Sequence, residues 1–273
     1  MKLSELRFLR ERSWLLVTLL TVALVPAFWH LSSWQFHRLH ERRTQNSNIA
    51  RAVAAPAQPL ISALSQLPHA DRHACSSPLL ARCSTIADWT AVNITGHWQP
   101  NTTRFARKHW REDVMGFWVT DILRLDSGKE IVVVRGWTPT TKSASESPTV
   151  AQPPSGQVNL TGWLMAAEHG TQPNLPMTQI AHVNNASMHV QPALTNMFVI
   201  VDLTRTSVAH VATESSGLYG IAVPLPSDGP HHSYAWQWRA FAALVIVGWG
   251  ALVRTELKQR RGEASAHQAA AVL

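Results

Sequence analysis

Two apolar runs, one near each end and each bordered by basic residues, constrain this sequence more than any other feature. Trp14 to Leu31 is about 18 residues without Asp, Glu, Lys or Arg, close to the ~20 that a bilayer core requires. It contains Pro26, which membrane helices tolerate because neighbouring groups re-satisfy the freed backbone. A cleaved signal peptide shares the basic start and apolar centre. Here, however, the run is long, and bulky Phe28, Trp29 and His30 follow the candidate cleavage site Pro26-Ala27. The last run reaches from Tyr234 to Val253. Its strictly apolar core, Phe241 to Val253, is only about 13 residues and short for a span by itself. Gln237 and Arg239 lie in its outer turns, where a long Arg side chain can snorkel to the headgroups. Trp236, Trp238 and Trp249 suit interfacial aromatic belts. A buried or interfacial amphipathic helix is the other reading of this run.

Lys and Arg near span ends set orientation. The stretch Thr206 to Trp238 carries neither, whereas Arg254, Lys258, Arg260 and Arg261 follow the second run. Lys2, Arg7, Arg10 and Arg12 precede the first run and are opposed by Arg38, Arg42 and Arg43. Two spans put both termini on one side. The expected layout is a cytoplasmic N-terminus (1–13), a first span (14–31), an extracytoplasmic domain (32–233), a second span (234–253) and a cytoplasmic basic tail (254–273). With no recognisable transit peptide before the first span, a bacterial inner (plasma) membrane is expected. The net charge of +7 then points to the lipid bilayer. Eight of the 24 basic residues flank the two runs, and no dense basic stripe with interleaved aromatics lies between them. Nucleic acid is not an expected partner.

Between the runs, Ser32 to Arg51 reads as a polar helical continuation and Val53 to Pro59 as an Ala/Pro-rich linker. From Trp89 the pattern changes to short strands bounded by turn residues. Candidate strands are Thr90 to Thr95, Phe117 to Leu125, Ile131 to Val134, Val158 to Met165 and Met197 to Leu203. Asp126-Ser127-Gly128 predicts a hairpin between the second and third. Thr141 to Pro154 reads as a loop, and Thr206 to Ser216 as a short helix. The fold class expected is a membrane protein whose two transmembrane helices flank a mainly antiparallel β domain, barrel or sandwich.

No catalytic signature is present: no Gly-x-Ser-x-Gly elbow, phosphate-binding glycine loop or His-Glu-x-x-His zinc motif. The chain is not expected to be an enzyme. Cys75 and Cys83 permit a disulfide or two free thiols, and His69 and His73 nearby leave a metal site conceivable. Among the 14 histidines, His231 and His232 stand directly before the last run, after the turn Ser227-Asp228-Gly229-Pro230, and His30 closes the first run. His37 and His40 lie two and three helical turns further on. A neutral imidazole at a bilayer boundary is a competent axial ligand for haem iron. Trp236 and Trp238 are placed to cover a porphyrin face, and Arg239 to meet its propionates.

Three motifs carry a resemblance. His231-His232-Ser233-Tyr234-Ala235-Trp236-Gln237-Trp238 resembles the His-x-x-Tyr-Ala-x-Gln/Thr-Trp signature opening the last helix of the surfeit-locus-one family of cytochrome c oxidase assembly proteins. Val133-Val134-Arg135-Gly136-Trp137-Thr138-Pro139 resembles its Val-x-Arg-Gly-Trp-Val-Pro, and Trp34-Gln35 with Arg38 its Trp-Gln-x-x-Arg. Gly96 with Trp98, Gly116 and Gly162 fall in family order, so the likeness covers about residues 14 to 255. Thr138 departs from the usual Val or Ile, and the Cys75 to Cys83 loop looks like an insertion. The resemblance implies a membrane chaperone of the respiratory chain. It would receive haem a from the haem a synthesis enzymes and pass it to subunit I, the catalytic subunit of cytochrome c oxidase. It also implies His231 as ligand to the haem iron, with His232 as understudy; the alternatives are cofactor-free binding of oxidase subunits and, after it, a membrane-tethered enzyme. Arg135, Gly136 and Trp137 read first as structural, with Gly136 allowing an unusual backbone angle. The functional reading of Arg135 is a carboxylate contact, to a haem propionate or an acidic partner.

Overall fold

The computed structural model describes residues 3–66, 88–141, 146–171, 173–212 and 217–270. Cys75, Cys83, His69 and His73 lie outside them. A 3-10 helix, Leu3–Arg10, leads into α1 (Arg12–Ala54), β1 (Gln58–Pro59) and α2 (Leu60–Gln66). There follow β2 (Thr90–Trp98), β3 (Arg104–Arg111), β4 (Val114–Leu125), β5 (Glu130–Pro139), β6 (Gln157–Ala166) and β7 (Gln179–Ile180). The chain ends in α3 (Asn185–Met188), β8 (Ala193–Val201), a 3-10 turn at Val208–His210 and α4 (His231–Ala270). It divides into two compact units, one of Met1–Thr44 with Ser227–Leu273, the other of Gln45–Pro226.

In the first unit α1 and α4 pack antiparallel, and the contacts fix their register. Trp249 donates its indole N–H to the Thr18 hydroxyl at 3.2 Å. Phe28 stacks on Trp238 at 5.6 Å and the Phe36 ring meets Trp236 edge-on. Glu11 pairs with Arg260 at 2.8 Å. Yet Leu16, Leu19, Val22, Leu244 and Val247 all stand exposed. A water-exposed helix pair would keep such side chains in its seam. Both helices are long and apolar enough to cross a bilayer.

The second unit is built on one mixed sheet in the order β1-β2-β6-β8-β5-β4-β3-β7. The pairs β2–β6, β6–β8, β4–β5 and β3–β4 are antiparallel, whereas β5–β8, β1–β2 and β3–β7 are parallel. The sheet curls until β2 pairs β4 again over Gly96–Trp98 against Leu123–Leu125. Gly96 sits at that crossing, where a Cβ would run into the Arg124 carbonyl. The antiparallel barrel or sandwich expected from the sequence is therefore corrected to a single mixed sheet curled on itself. The physical reason is β5. Its Ile131 and Val133 join one buried cluster while Val132 and Val134 join another. A strand buried on both faces suits the parallel pairing with β8.

The hairpin expected at Asp126-Ser127-Gly128 is present between β4 and β5, with Gly128 at φ 77°. Three strands were not anticipated, the two-residue β1 and β7 and the longer β3. In β3, Arg104, Arg107, Lys108 and Arg111 break the apolar alternation, and its register shifts between Ala106 and His109, with Lys108 at φ 62°. The helix expected over Thr206 to Ser216 is reduced, among its described residues, to the turn Val208–His210.

Candidate functional site

The first turn of α4 and the facing stretch of α1 bring together most of the sequence-predicted residues. Pro230 precedes the helix, and its carbonyl accepts from the Tyr234 N–H at 3.1 Å and the Ser233 hydroxyl at 2.9 Å. Arg43 grips Asp228 through Nε and Nη2, at 2.9 and 2.8 Å, and this contact holds the Asp228 carboxyl below its ordinary range. The helix start is thus tied to α1 on its polar side. One turn deeper, His231 Nδ1 donates to Gln35 Oε1 at 2.9 Å. That bond fixes the tautomer and the ring plane and leaves the Nε2 lone pair available. His232 is exposed, its ring set edge-on to Phe36 at 6.5 Å.

Arg239 lies two turns further along α4, about 12 Å by helical rise. Its guanidinium sits over Trp29 at 5.2 Å, Phe36 at 4.7 Å and Trp236 at 5.1 Å. Its Nε is buried and has no acceptor among the described residues. An oriented imidazole, an aromatic wall and an unneutralised cation form a donor set that fits a flat metalloporphyrin bearing carboxylates. Sequence reasoning missed Gln35 as the partner of His231, and Trp29 and Phe36 as the cage around Arg239. The signal for Gln35 was its place in the Trp34-Gln35 motif. His30 and His40 are exposed, and His37 faces Glu41 at 3.3 Å.

The model of the SURF1 family matches residues 22–243. The chain belongs to the SURF1 family. This is a family of cytochrome oxidase assembly factors rather than of enzymes. The chain is also similar to uncharacterised SURF1-like proteins of Mycobacterium bovis and of two strains of Mycobacterium tuberculosis. Each is 26% identical over 267 residues, covering 96% of this chain and 91% of the relative.

Arg135 belongs to the other unit of this SURF1-family chain, where its side chain is fully buried. It is the extra residue of a bulge in β5, where Val134 pairs Thr120 and Gly136 pairs Val119. Bulges re-aim side chains. Here the guanidinium turns into the interior, fully buried, with Nε on Asp121 Oδ2 at 2.6 Å. Nη1 donates to the Ala151 and Val211 carbonyls. The carboxylate that the sequence assigned to Arg135 is supplied by Asp121. Gly136 is likewise corrected: it has no left-handed φ. What it permits is the close approach of Tyr219, whose backbone pairs Trp137.

A concavity of about 370 Å³ in the β unit is lined by Trp89, Trp110, Trp118, Trp137, Arg111 and Ile221, among others. His109 stacks flat on Trp118 at 3.6 Å. Among the described residues no three His, Cys, Asp or Glu side chains group closely enough to hold a metal. Burial perturbs several titrating groups in this unit, and it moves Asp88 and His109 in opposite directions. Asp88, whose Oδ1 accepts from the Ala166 N–H, is pushed up to about 6, and His109 is lowered to about 4 by burial and the nearby His182. Stability from the raised Asp88 is complete below its unfolded value near 4 and is lost as pH rises through about 6. Stability from the depressed His109 is present above about 6.5 and is lost as pH falls through about 4. The two slopes offset each other in the wild type. Asp88→Asn removes one of them, so its melting temperature relative to wild type should rise between pH 4.5 and pH 7. An unchanged difference across that range would reject burial as the dominant influence on Asp88.

Proposed function

We propose that this chain is a membrane-anchored oxidase assembly factor that receives haem a at the outer end of its paired helices. His231 holds the iron, and the cargo passes to subunit I of cytochrome c oxidase. The observation that carries this reading is the Gln35–His231 bond. It gives one imidazole a fixed direction. One neutral ligand suits a carrier, because a bis-histidine site buried in protein would hold its cargo too tightly for transfer. Both helices span the inner membrane in this reading, the β unit lies outside the cytoplasm, and the donors are the haem a synthesis enzymes. Bound haem a supplies the iron to be coordinated. The chain itself orients His231, sets Trp236 beside the ring and presents Arg239 to a propionate. His232 is exposed one residue away and serves as a second, weaker donor.

The test is the visible spectrum of full-length protein co-expressed with the haem a synthesis enzymes and purified in detergent. The wild type should carry a haem a band that His231→Ala loses. Gln35→Leu should keep a weakened band, with affinity down about 10–100-fold, the usual cost of removing an outer-shell partner. A colourless wild type from membranes that contain haem a would favour the cofactor-free scaffold instead.

A further inference from the structure

Arg239 poses a charge problem that the described residues do not solve. In α1 no Asp or Glu occurs between Arg12 and Arg38, and in α4 none occurs between His231 and Thr255. Of the acids on or beside these helices, Glu11 and Glu256 pair with Arg260, Glu41 with Arg38 and Asp228 with Arg43, while Glu263 lies more than six turns beyond Arg239. Three rings surround the Arg239 guanidinium, but among the described residues its buried Nε has no acceptor. A second polar atom is stranded beside it. Ser32 is 1% exposed, and its hydroxyl has no partner among the described residues. Trp29, Ser32 and Phe36 follow at helical spacings of three and four, so they share one face of α1. Two of these three touch the guanidinium, which places Ser32 in the floor between them.

A buried donor without a partner is destabilising, the more so when it is charged. A cation at bilayer depth normally has a counter-charge. Here the missing group must accept hydrogen bonds from a planar guanidinium and a hydroxyl, carry negative charge, and belong to a molecule that resides at the bilayer boundary. We propose that Arg239 and Ser32 form an oxyanion site for the phosphate of a single anionic phospholipid. That lipid occupies the seam while no cargo is present. The inference rests on the membrane reading of the two helices but not on haem binding. An incoming propionate offers the same oxyanion chemistry and would displace the lipid.

The test uses full-length chain from cells lacking haem a synthesis, purified in a detergent free of phosphate and washed extensively. Phospholipid is then extracted and measured as phosphorus per chain. Wild type should retain a stoichiometric lipid, and Arg239→Leu should retain about tenfold less, equivalent to 1.4 kcal/mol. Ser32→Ala, a small change at the helix seam, should fall between them. Arg254→Leu, beyond the second apolar run, should match wild type. Helical circular dichroism identical across the set establishes that the variants fold. Adding phosphatidylglycerol vesicles should reload stripped wild type but not Arg239→Leu, and inorganic phosphate should not block reloading. Equal retention in wild type and Arg239→Leu would mean only annular lipid and would overturn the site. So would a wild type that holds none, or full competition by inorganic phosphate. None of these outcomes depends on a haem spectrum, so failure here leaves the carrier reading to its own test.

Discussion

Arg135→Met should destabilise the β unit by about 3–5 kcal/mol, the cost of stranding one member of a buried ion pair. The stranded group is Asp121, fully buried, which accepts from Arg135 Nε at 2.6 Å and from the Thr103 hydroxyl at 2.8 Å. Burial pushes its carboxyl up, and Arg135 and the hydroxyls of Thr103 and Thr102 pull it back. Two neutral donors cannot replace the guanidinium. The same substitution also frees the carbonyls of Ala151 and Val211, which Nη1 holds together. Thermal unfolding followed by tryptophan fluorescence measures the loss. The informative partner is Asp121→Leu combined with Arg135→Met. Removing both charges should recover most of the loss, because a well-packed apolar pair is often as stable as a buried ionic one. A double variant no more stable than Arg135→Met would show that the carbonyl contacts, and not the charge, dominate.

Gly116→Ala should cost about 3 kcal/mol, at the upper end of ordinary overpacking. Gly116 pairs Pro139 in the β4–β5 ladder, and the Trp137 indole lies across it. An added Cβ would collide with that ring and with the Thr138 carbonyl. The ring cannot yield, because Trp137 Nε1 donates to the His109 carbonyl at 2.9 Å and its face packs against Tyr219. Denaturant unfolding reads the loss. Trp137→Phe in the Gly116→Ala background, smaller at the point of collision, should restore part of it. No restoration would place the strain at the Thr138 carbonyl.

Much of this fold was legible in the sequence, for a local reason. The strands Thr90–Trp98, Val114–Leu125, Gln157–Ala166 and Ala193–Val201 carry alternating apolar residues or end in turn residues, and both signals are read within a few positions. The strand Arg104–Arg111 was not legible, because four cations and a bulge erase its period. Nor was the parallel pairing of β5 with β8, which joins residues far apart in sequence and is decided by burial on both faces. The bulge that turns Arg135 inward shows the same limit. The motif marked the residue, but only the register opposite Val119 and Thr120 shows where the side chain goes. In the site, His231 was readable from its place before an apolar run. Gln35, Ser32, Trp29 and Phe36 were not, since their roles arise from the neighbouring helix.

The parallel pairing of β5 with β8 also dictates a timetable. β5 ends at Pro139 and β8 begins at Ala193, so the central strand must wait for its neighbour while the intervening loop and β6 are made. At ~5–20 residues per second the wait is roughly 3–10 s. Throughout it, Ile131 to Val134 can pair only with β4, and one edge of this apolar stretch stays open. Slow, non-local closure of this kind is the stage at which a nascent chain is most prone to aggregate. A truncation that ends before Ala193 would therefore leave an adhesive intermediate rather than a smaller folded protein.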